Sequence, residues 1–172
     1  MLVTDLQFYA PYYAEAYKKL AQDIPLLRML EQRPMILEFY KNIPEALWSY
    51  SYAQDKWSIQ KIVQHWLDAE LIFCYRALST VRGEEKPLMG WEPDEYAACI
   101  READLSKEKL LKSIDIQVKY THHIFSQFSP IDLAKVGNAN GYDTQVAAMG
   151  FAILAHEMHH RNVIQDKYLN NI

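Results

Sequence analysis

Three of the six histidines of the chain lie in one short stretch, AHEMHHRNVI, residues 155–164. On a helix, His156 and His160 are about one turn apart on the same face, so both imidazoles can reach one metal ion. A pairing of His156 with His159 is also geometrically possible, but the polar residues that follow His159 indicate that this side faces solvent. The favoured pair is therefore His156 and His160, which would supply half of a metal site.

The helix that carries this pair is predicted to face the interior of a bundle. Its apolar seam advances in steps of three and four residues, through Met149, Ile153, His156, His160 and Val163. Burying an unpartnered imidazole costs on the order of 1 to 3 kcal/mol, and a metal ion would satisfy two at once. The competing interpretation is a surface pair, or a polar pair that other side chains satisfy.

A third histidine lies much earlier, on a separate amphipathic segment. His65 adjoins Trp66 at the edge of an apolar face, and bundles commonly build metal sites from inward ligands on facing helices. Three neutral imidazoles suit zinc, nickel, copper or iron and resemble an open catalytic site. Asp68, Glu70 and Glu157 are candidates to orient a ring nitrogen or to act as a general base on bound water.

Several other polar residues have weaker claims to a functional role. His122, beside His123, shares an apolar face and is expected to be a packed core residue, with a fourth ligand or a substrate contact as the alternative. Arg76 lies three helical turns beyond the third histidine on the same face; it either enters the core region or, as we favour, forms a structural ion pair. Cys74 and Cys99 have no activating neighbour and are expected to be small buried hydrophobes.

Four long amphipathic segments must position these residues. They are predicted at residues 24–42, 58–82, 106–128 and about 144–169. Pro34 should interrupt the first segment. Ser58 is a good N-cap for the second, with Trp57 as a hydrophobic staple, and Gly83 should end it.

The connections between these segments complete an all-α prediction. The join between the second and third helices is long and contains a brief helix at about 93–100, whereas GNANGYD, residues 137–143, is predicted to be a loop before an N-cap at Asp143 or Thr144. No segment shows a strand pattern. The chain is predicted to be one domain, 1–172, with a four-helix bundle at about 24–170 and a short helical extension at 1–22.

Composition narrows the classes of function. The net charge is −4 and no run of Lys or Arg forms a basic stripe, so a general nucleic-acid binder is not expected. Two unpatterned cysteines, no signal-peptide pattern and no long apolar run predict a cytoplasmic protein that does not span a membrane.

Three stretches together resemble the DinB superfamily, also described as DinB/YfiT-like metalloenzymes. They are KWSIQKIVQHWLDAELIFCYRAL, PLMGWEPDEYA and AHEMHHRNVI, and the resemblance spans about residues 25–170. It implies an up-down-down-up bundle with a long crossover between helices 2 and 3. It also implies a divalent metal, zinc or nickel, held by three histidines that match His65, His156 and His160. The extension at 1–22 is outside the pattern and could cover the entrance to the metal site or a dimer face.

The resemblance also sets the functional expectations. Members include thiol S-transferases that use low-molecular-weight thiols and a mycothiol-dependent maleylpyruvate isomerase, and homodimers are frequent. We therefore expect a metal-dependent enzyme that transfers a thiol to a small molecule or hydrolyses one, with the two reactions not separated by the sequence. Asp68 and Glu157 are its candidate catalytic residues. The alternative is a non-enzymatic stress-related or metal-binding module with a vestigial site.

Overall fold

The computed structural model describes residues 1–170, which form a helical bundle with one small hairpin. Its α-helices and strands are α1 (Ala14–Lys18), α2 (Leu26–Gln32), α3 (Ile36–Lys41), α4 (Ile59–Val81), α5 (Pro93–Ala98), α6 (Lys107–Ser126), α7 (Pro130–Ala134), β1 (Val136–Ala139), β2 (Tyr142–Gln145) and α8 (Val146–Ile164). The α2–α3 segment, α4, α6 and α8 are the four bundle elements in up-down-down-up order. The predicted fold class is thus confirmed; residues 171 and 172 lie outside the described part.

The first bundle element is broken where the sequence predicts. A 3₁₀ turn, Arg33–Met35, separates α2 from α3. Pro34 lacks the N–H that would continue the helical ladder, and its ring crowds the preceding turn, which accounts for the break.

Helix α4 begins and ends at the predicted residues. The Ser58 hydroxyl accepts a hydrogen bond from the backbone N–H of Lys61 at 3.2 Å, which satisfies one of the free donors of the first turn. Gly83 follows the last turn with φ +86°, the left-handed conformation that terminates many helices. Between these ends, α4 packs against both α6 and α8.

The segment GNANGYD forms a β-hairpin, so the prediction of a loop without strands was wrong there. Strands β1 and β2 pair antiparallel, with Ala139 opposite Tyr142. Asn140 and Gly141 form the turn with φ +54° and +82°, as a two-residue type I′ turn requires. Because β2 continues through Gln145, this residue is the N-cap of α8, in place of Asp143 or Thr144.

Helix α8 is the central element of the molecule. From Val146 to Ala155 every residue is buried, so this half of the helix has no solvent-facing side. The N-terminal extension provides part of the cover: α1 packs on α8, and the Tyr17 hydroxyl donates to the Ala148 carbonyl at 2.8 Å. The extension is therefore an integral layer over α8.

Every helix within residues 1–170 is too short or too polar to cross a lipid bilayer.

Candidate metal centre

Three imidazoles converge in the space between α4 and α8. The Nε2 atom of His156 lies 3.3 Å from Nε2 of His65 and 3.0 Å from Nε2 of His160. One ring nitrogen from each of the three histidines lies within 4.8 Å of the others. The structure thus brings together the three residues that the sequence singled out from two distant segments.

The spacing of these nitrogens fits a shared cation. Two imidazole nitrogens about 2.0 to 2.1 Å from one ion are about 3.3 Å apart in tetrahedral geometry and about 2.9 Å apart in octahedral geometry. The observed separations of 3.0 and 3.3 Å fall in this range. The donor set fits zinc, nickel, copper or iron, since these ions accept imidazole nitrogen.

Burial keeps the three histidines in the ligand form. Desolvation lowers the pKa of His65 to about 4, that of His156 to about 3 and that of His160 to about 2. The neighbouring imidazoles lower the pKa values of His156 and His160 further, because several positive rings cannot share so small a space. At neutral pH each ring therefore has a lone pair available for a metal ion.

Packing, and not a carboxylate, fixes the ring of His65. The indole of Trp57 lies 4.9 Å from the imidazole centroid and that of Trp91 lies 5.5 Å from it. The Nδ1 atom is buried and has no hydrogen-bond partner among residues 1–170. Metal-binding histidines usually donate this N–H to a carboxylate or carbonyl, so the two tryptophans here take over the orienting role.

Two of the candidate carboxylates, Asp68 and Glu157, are engaged with groups other than the histidines. Asp68 accepts a hydrogen bond from the Gln64 amide at 2.8 Å. Glu157 accepts hydrogen bonds from the Tyr40 hydroxyl at 3.2 Å and from Arg161 at 3.0 Å, and burial raises its pKa. The general-base or orienting roles suggested for Asp68 and Glu157 stay predictions.

Glu70, the third candidate carboxylate, is part of a buried ion pair. Its two oxygens accept from both terminal nitrogens of Arg33 at 2.6 Å, and one of them also accepts from the Thr121 hydroxyl. Arg33 and Glu70 are both almost fully buried. This pair joins the kink of the first bundle element to α4.

The other histidines and the two cysteines lie outside the histidine cluster. His159 is exposed, as the sequence indicated, while His122 is half-buried and His123 exposed, and neither belongs to the imidazole cluster. Cys74 is buried beside Thr121, and burial raises its pKa to about 12. Cys99 is exposed, so the prediction that it is a buried hydrophobe was wrong; it follows the short helix α5 in the crossover, where little covers it.

Arg76 does not form the predicted ion pair. Among residues 1–170 no carboxylate lies within 4 Å of its guanidinium, which donates instead to the Met89 carbonyl at 2.6 Å. The side chain is buried and borders a cavity that also reaches the histidines. The alternative prediction, that Arg76 enters the interior, is confirmed.

Two cavities reach the histidine cluster from different sides. One, of about 310 Å³, is bordered by His65 and His156 together with residues of the N-terminal extension and the crossover. The other, of about 380 Å³, is bordered by His160 together with Tyr52, Trp57 and Tyr168. Both are large enough for small molecules. We call them the arginine cavity and the tyrosine cavity.

Sequence reasoning missed the aromatic residues of the arginine cavity, although it allowed that the N-terminal extension covers the metal site. Tyr12 and Tyr13 come from an extension outside the amphipathic pattern, and Trp91 comes from a loop rich in glycine and proline. The one available signal was a large aromatic residue between Gly90 and Pro93, since such a side chain in a loop is usually docked on something. The residue against which Trp91 packs, His65, cannot be identified from the sequence alone.

These features define a helical-bundle protein with a three-histidine candidate metal centre between two helices. The family model of the DinB superfamily matches residues 28–164, most of the chain, and the protein therefore belongs to the DinB superfamily. This range includes all three clustered histidines. Among curated proteins, no significant sequence match is found.

Solved structures of low sequence identity share the fold. YfiT from Bacillus subtilis, described as a probable metal-dependent hydrolase with an unusual four-helix bundle topology, matches with a TM-score of 0.68 and 14% identity, over 86% of this chain and 90% of its own. A mycothiol-dependent maleylpyruvate isomerase matches with a TM-score of 0.61 and 16% identity, over 80% of this chain and 60% of its own. A DinB-like protein from Bacillus subtilis matches with a TM-score of 0.54 and 17% identity, over 80% and 85%.

Proposed function

We propose that this protein is a metal-dependent enzyme that binds a divalent ion, zinc or nickel, through His65, His156 and His160 and acts on a small molecule. The observation that carries the proposal is the convergence of three Nε2 atoms at separations of 3.0 and 3.3 Å beside two cavities. Three protein ligands leave coordination positions for a substrate, as catalytic sites require.

The residues of the chain contribute binding and orientation. When bound, a divalent ion would supply Lewis acidity, which lowers the pKa of a thiol or a water molecule and polarises an electrophile. The neutral imidazoles would hold such an ion, and Trp57 and Trp91 restrict the ring of His65.

Thiol transfer is the reaction class that the two cavities favour. Each cavity borders a different part of the histidine cluster, so a thiol and an electrophile can approach from separate sides. The name of the mycothiol-dependent neighbour points the same way. Hydrolysis is the second candidate, because YfiT is described as a probable metal-dependent hydrolase. A cytoplasmic location, predicted from the composition, and a homodimer, implied by the family resemblance, complete the proposal.

Metal analysis tests the site itself. We expect about one divalent ion per chain in the purified protein and a loss of most of it in His65→Ala, His156→Ala and His160→Ala, because each substitution removes one of three ligands. The matched control is His159→Ala, on the same helix but exposed. Equal metal content in the wild type and all three ligand variants would overturn the proposed site.

An activity screen separates the reaction classes. The metal-loaded protein is mixed with a panel of bacterial thiols and a haloarene electrophile, and separately with simple esters. Thiol-dependent release of halide supports the transferase, and ester cleavage without thiol supports the hydrolase. Turnover in neither assay would favour the alternative, a non-enzymatic metal-binding module.

A further inference from the structure

Two arginines are buried in residues 1–170, and their surroundings differ sharply. Arg33 is 4% exposed and forms a bidentate ion pair with Glu70. Arg76 is 5% exposed, yet no carboxylate lies within 4 Å of it in the described part of the chain. Arg33 shows that this fold can place a carboxylate beside a buried guanidinium. The lack of such a carboxylate beside Arg76 among the described residues therefore suggests that its counter-charge comes from a bound molecule.

The guanidinium of Arg76 has unused donors. One terminal nitrogen donates to the Met89 carbonyl at 2.6 Å, while Nε and the other terminal nitrogen have no hydrogen-bond partner among residues 1–170. These two nitrogens are not among the polar atoms sealed in the core, in contrast to Nε of Arg33. They are therefore accessible to a molecule in the arginine cavity.

An isolated buried cation is costly. A guanidinium stays charged at any ordinary pH, and removing it even partly from water without an opposite charge destabilises the fold. Tyr12 and Tyr13 stand close by, but their neutral hydroxyls do not balance the charge. Glu92 also borders the cavity, but it is exposed and more than 4 Å from the guanidinium. The site is thus complementary to an anion.

The other residues of the cavity wall indicate which kind of anion would fit. Four aromatic side chains, Tyr12, Tyr13, Phe73 and Trp91, form much of its apolar part. Such walls favour a flat, apolar group. His65 and His156 border the same cavity, and His65 and Arg76 lie on one face of α4 with their Cα atoms about 16 Å apart. One small molecule can therefore contact Arg76 while its other end faces the histidines.

We propose that Arg76 binds a carboxylate of the substrate, and that the arginine cavity selects small carboxylates with a flat apolar body. This inference rests on the proposed function, because the bound carboxylate would present the rest of the molecule to the histidine centre. Arg76 is thereby a specificity-determining residue on α4.

The test compares two probes of the same shape and different charge. Binding of trans-cinnamate and of trans-cinnamamide to the full-length, zinc-loaded protein is measured by isothermal titration calorimetry at pH 8. We expect the wild type to bind the carboxylate about tenfold or more tightly than the amide, since a hydrogen bond between two charged groups contributes on the order of 1.5 to 3 kcal/mol. In Arg76→Gln this ratio should fall to about one, and Arg76→Lys should retain part of it.

Controls make the result specific to Arg76. Arg82→Gln removes an exposed arginine from the end of the same helix and should keep the wild-type ratio; thermal melting verifies that each variant is folded. A carboxylate preference that persists in Arg76→Gln would show that the metal ion holds the anion, and would overturn the inference. Equal binding of both probes by the wild type, or no binding of cinnamate, would also overturn it.

The same titration with the protein as purified distinguishes this inference from the proposed function. If the chain binds no metal, the proposed function fails, while a carboxylate preference that depends on Arg76 still supports the anion site. If metal binding and thiol transfer are both observed but the preference is absent, only the anion site fails.

Discussion

His65 combines two properties that rarely occur together in a metal ligand. Its ring is held between two indoles, and its Nδ1 atom has no hydrogen-bond partner among the described residues. Orientation by packing leaves the imidazole less basic than orientation by a hydrogen-bonded carboxylate would, because no carboxylate of the described residues accepts a hydrogen bond from its Nδ1. The centre should therefore behave as a stronger Lewis acid than one whose histidines are each paired with a carboxylate.

The depressed histidine pKa values predict an acid-sensitive fold in the absence of metal. The pKa of His65 is about 4 in the folded chain, against about 6.5 for an unfolded one. The unfolded state then binds more protons below pH 6.5, so the stability contributed above that pH is lost as the pH falls toward 4. We expect this one group to lower the free energy of unfolding by at most about 2 kcal/mol between pH 7 and pH 5, because solvent screening reduces the effect.

Urea unfolding of the chelator-treated protein at several pH values measures this loss. His65→Asn should show a shallower decline than the wild type, because it removes one of the titrating groups. His123→Asn, which alters an exposed histidine on α6 away from the cluster, serves as the control and should keep the wild-type slope. Identical slopes in the wild type and His65→Asn would contradict the prediction.

Among the elements, the break at Pro34 has a structural consequence. It places Arg33 in the interior, where the guanidinium reaches Glu70 of α4 in a bidentate ion pair. Thr121 of α6 donates to the same carboxylate. Three bundle elements are thus joined at one buried charge pair.

Removal of one partner of this pair should be far more damaging than removal of both. We expect Arg33→Met to lower the free energy of unfolding by about 3 to 5 kcal/mol, because it leaves the Glu70 carboxylate buried without its cation. Arg33→Met combined with Glu70→Met should recover much of the loss. Urea denaturation measures both. A double variant no more stable than the single variant would show that the pair is not the reason for the loss.

The sequence predicts the elements whose ends carry local signals. Ser58 and Gly83 define α4 and Pro34 marks the break, while the Ser106 hydroxyl caps α6 by accepting from the Lys109 N–H. Each of these residues acts through its own backbone or cap. The hairpin was missed although Asn140-Gly141 is a strong turn signal, because the flanking strands have only four residues each and no clear alternation.

The candidate site was only partly predictable for a similar reason. The helical period alone places His156 and His160 together, whereas their meeting with His65 depends on how α4 packs against α8. Trp91 and Tyr13 reach the site through tertiary contacts that leave no periodic signal. The close approach of Gly90 to Asn140, where an added Cβ would lie 2.1 Å from the amide oxygen, is likewise visible only in the fold.

For the whole molecule, a divalent ion bound at the candidate metal centre would cross-link α4 and α8. An ion that binds the folded chain and not the unfolded one stabilises it by mass action, by about 2.7 kcal/mol at a free concentration one hundred times Kd. We expect zinc to raise the Tm of the wild type and of His159→Ala by several degrees, and to leave the Tm of His65→Ala nearly unchanged. Differential scanning calorimetry measures the shifts; an equal rise in His65→Ala would place the stabilising ion elsewhere.

The position of the ligands along the chain also governs when this cross-link can form. His65 and His156 are 91 residues apart in sequence, and the long crossover, α6 and the hairpin lie between them. Contacts of such separation are made late in folding, because the intervening loop must first be closed. Metal should therefore leave the folding rate almost unchanged and lower the unfolding rate. The ion would then increase the kinetic stability of a fold that has already formed.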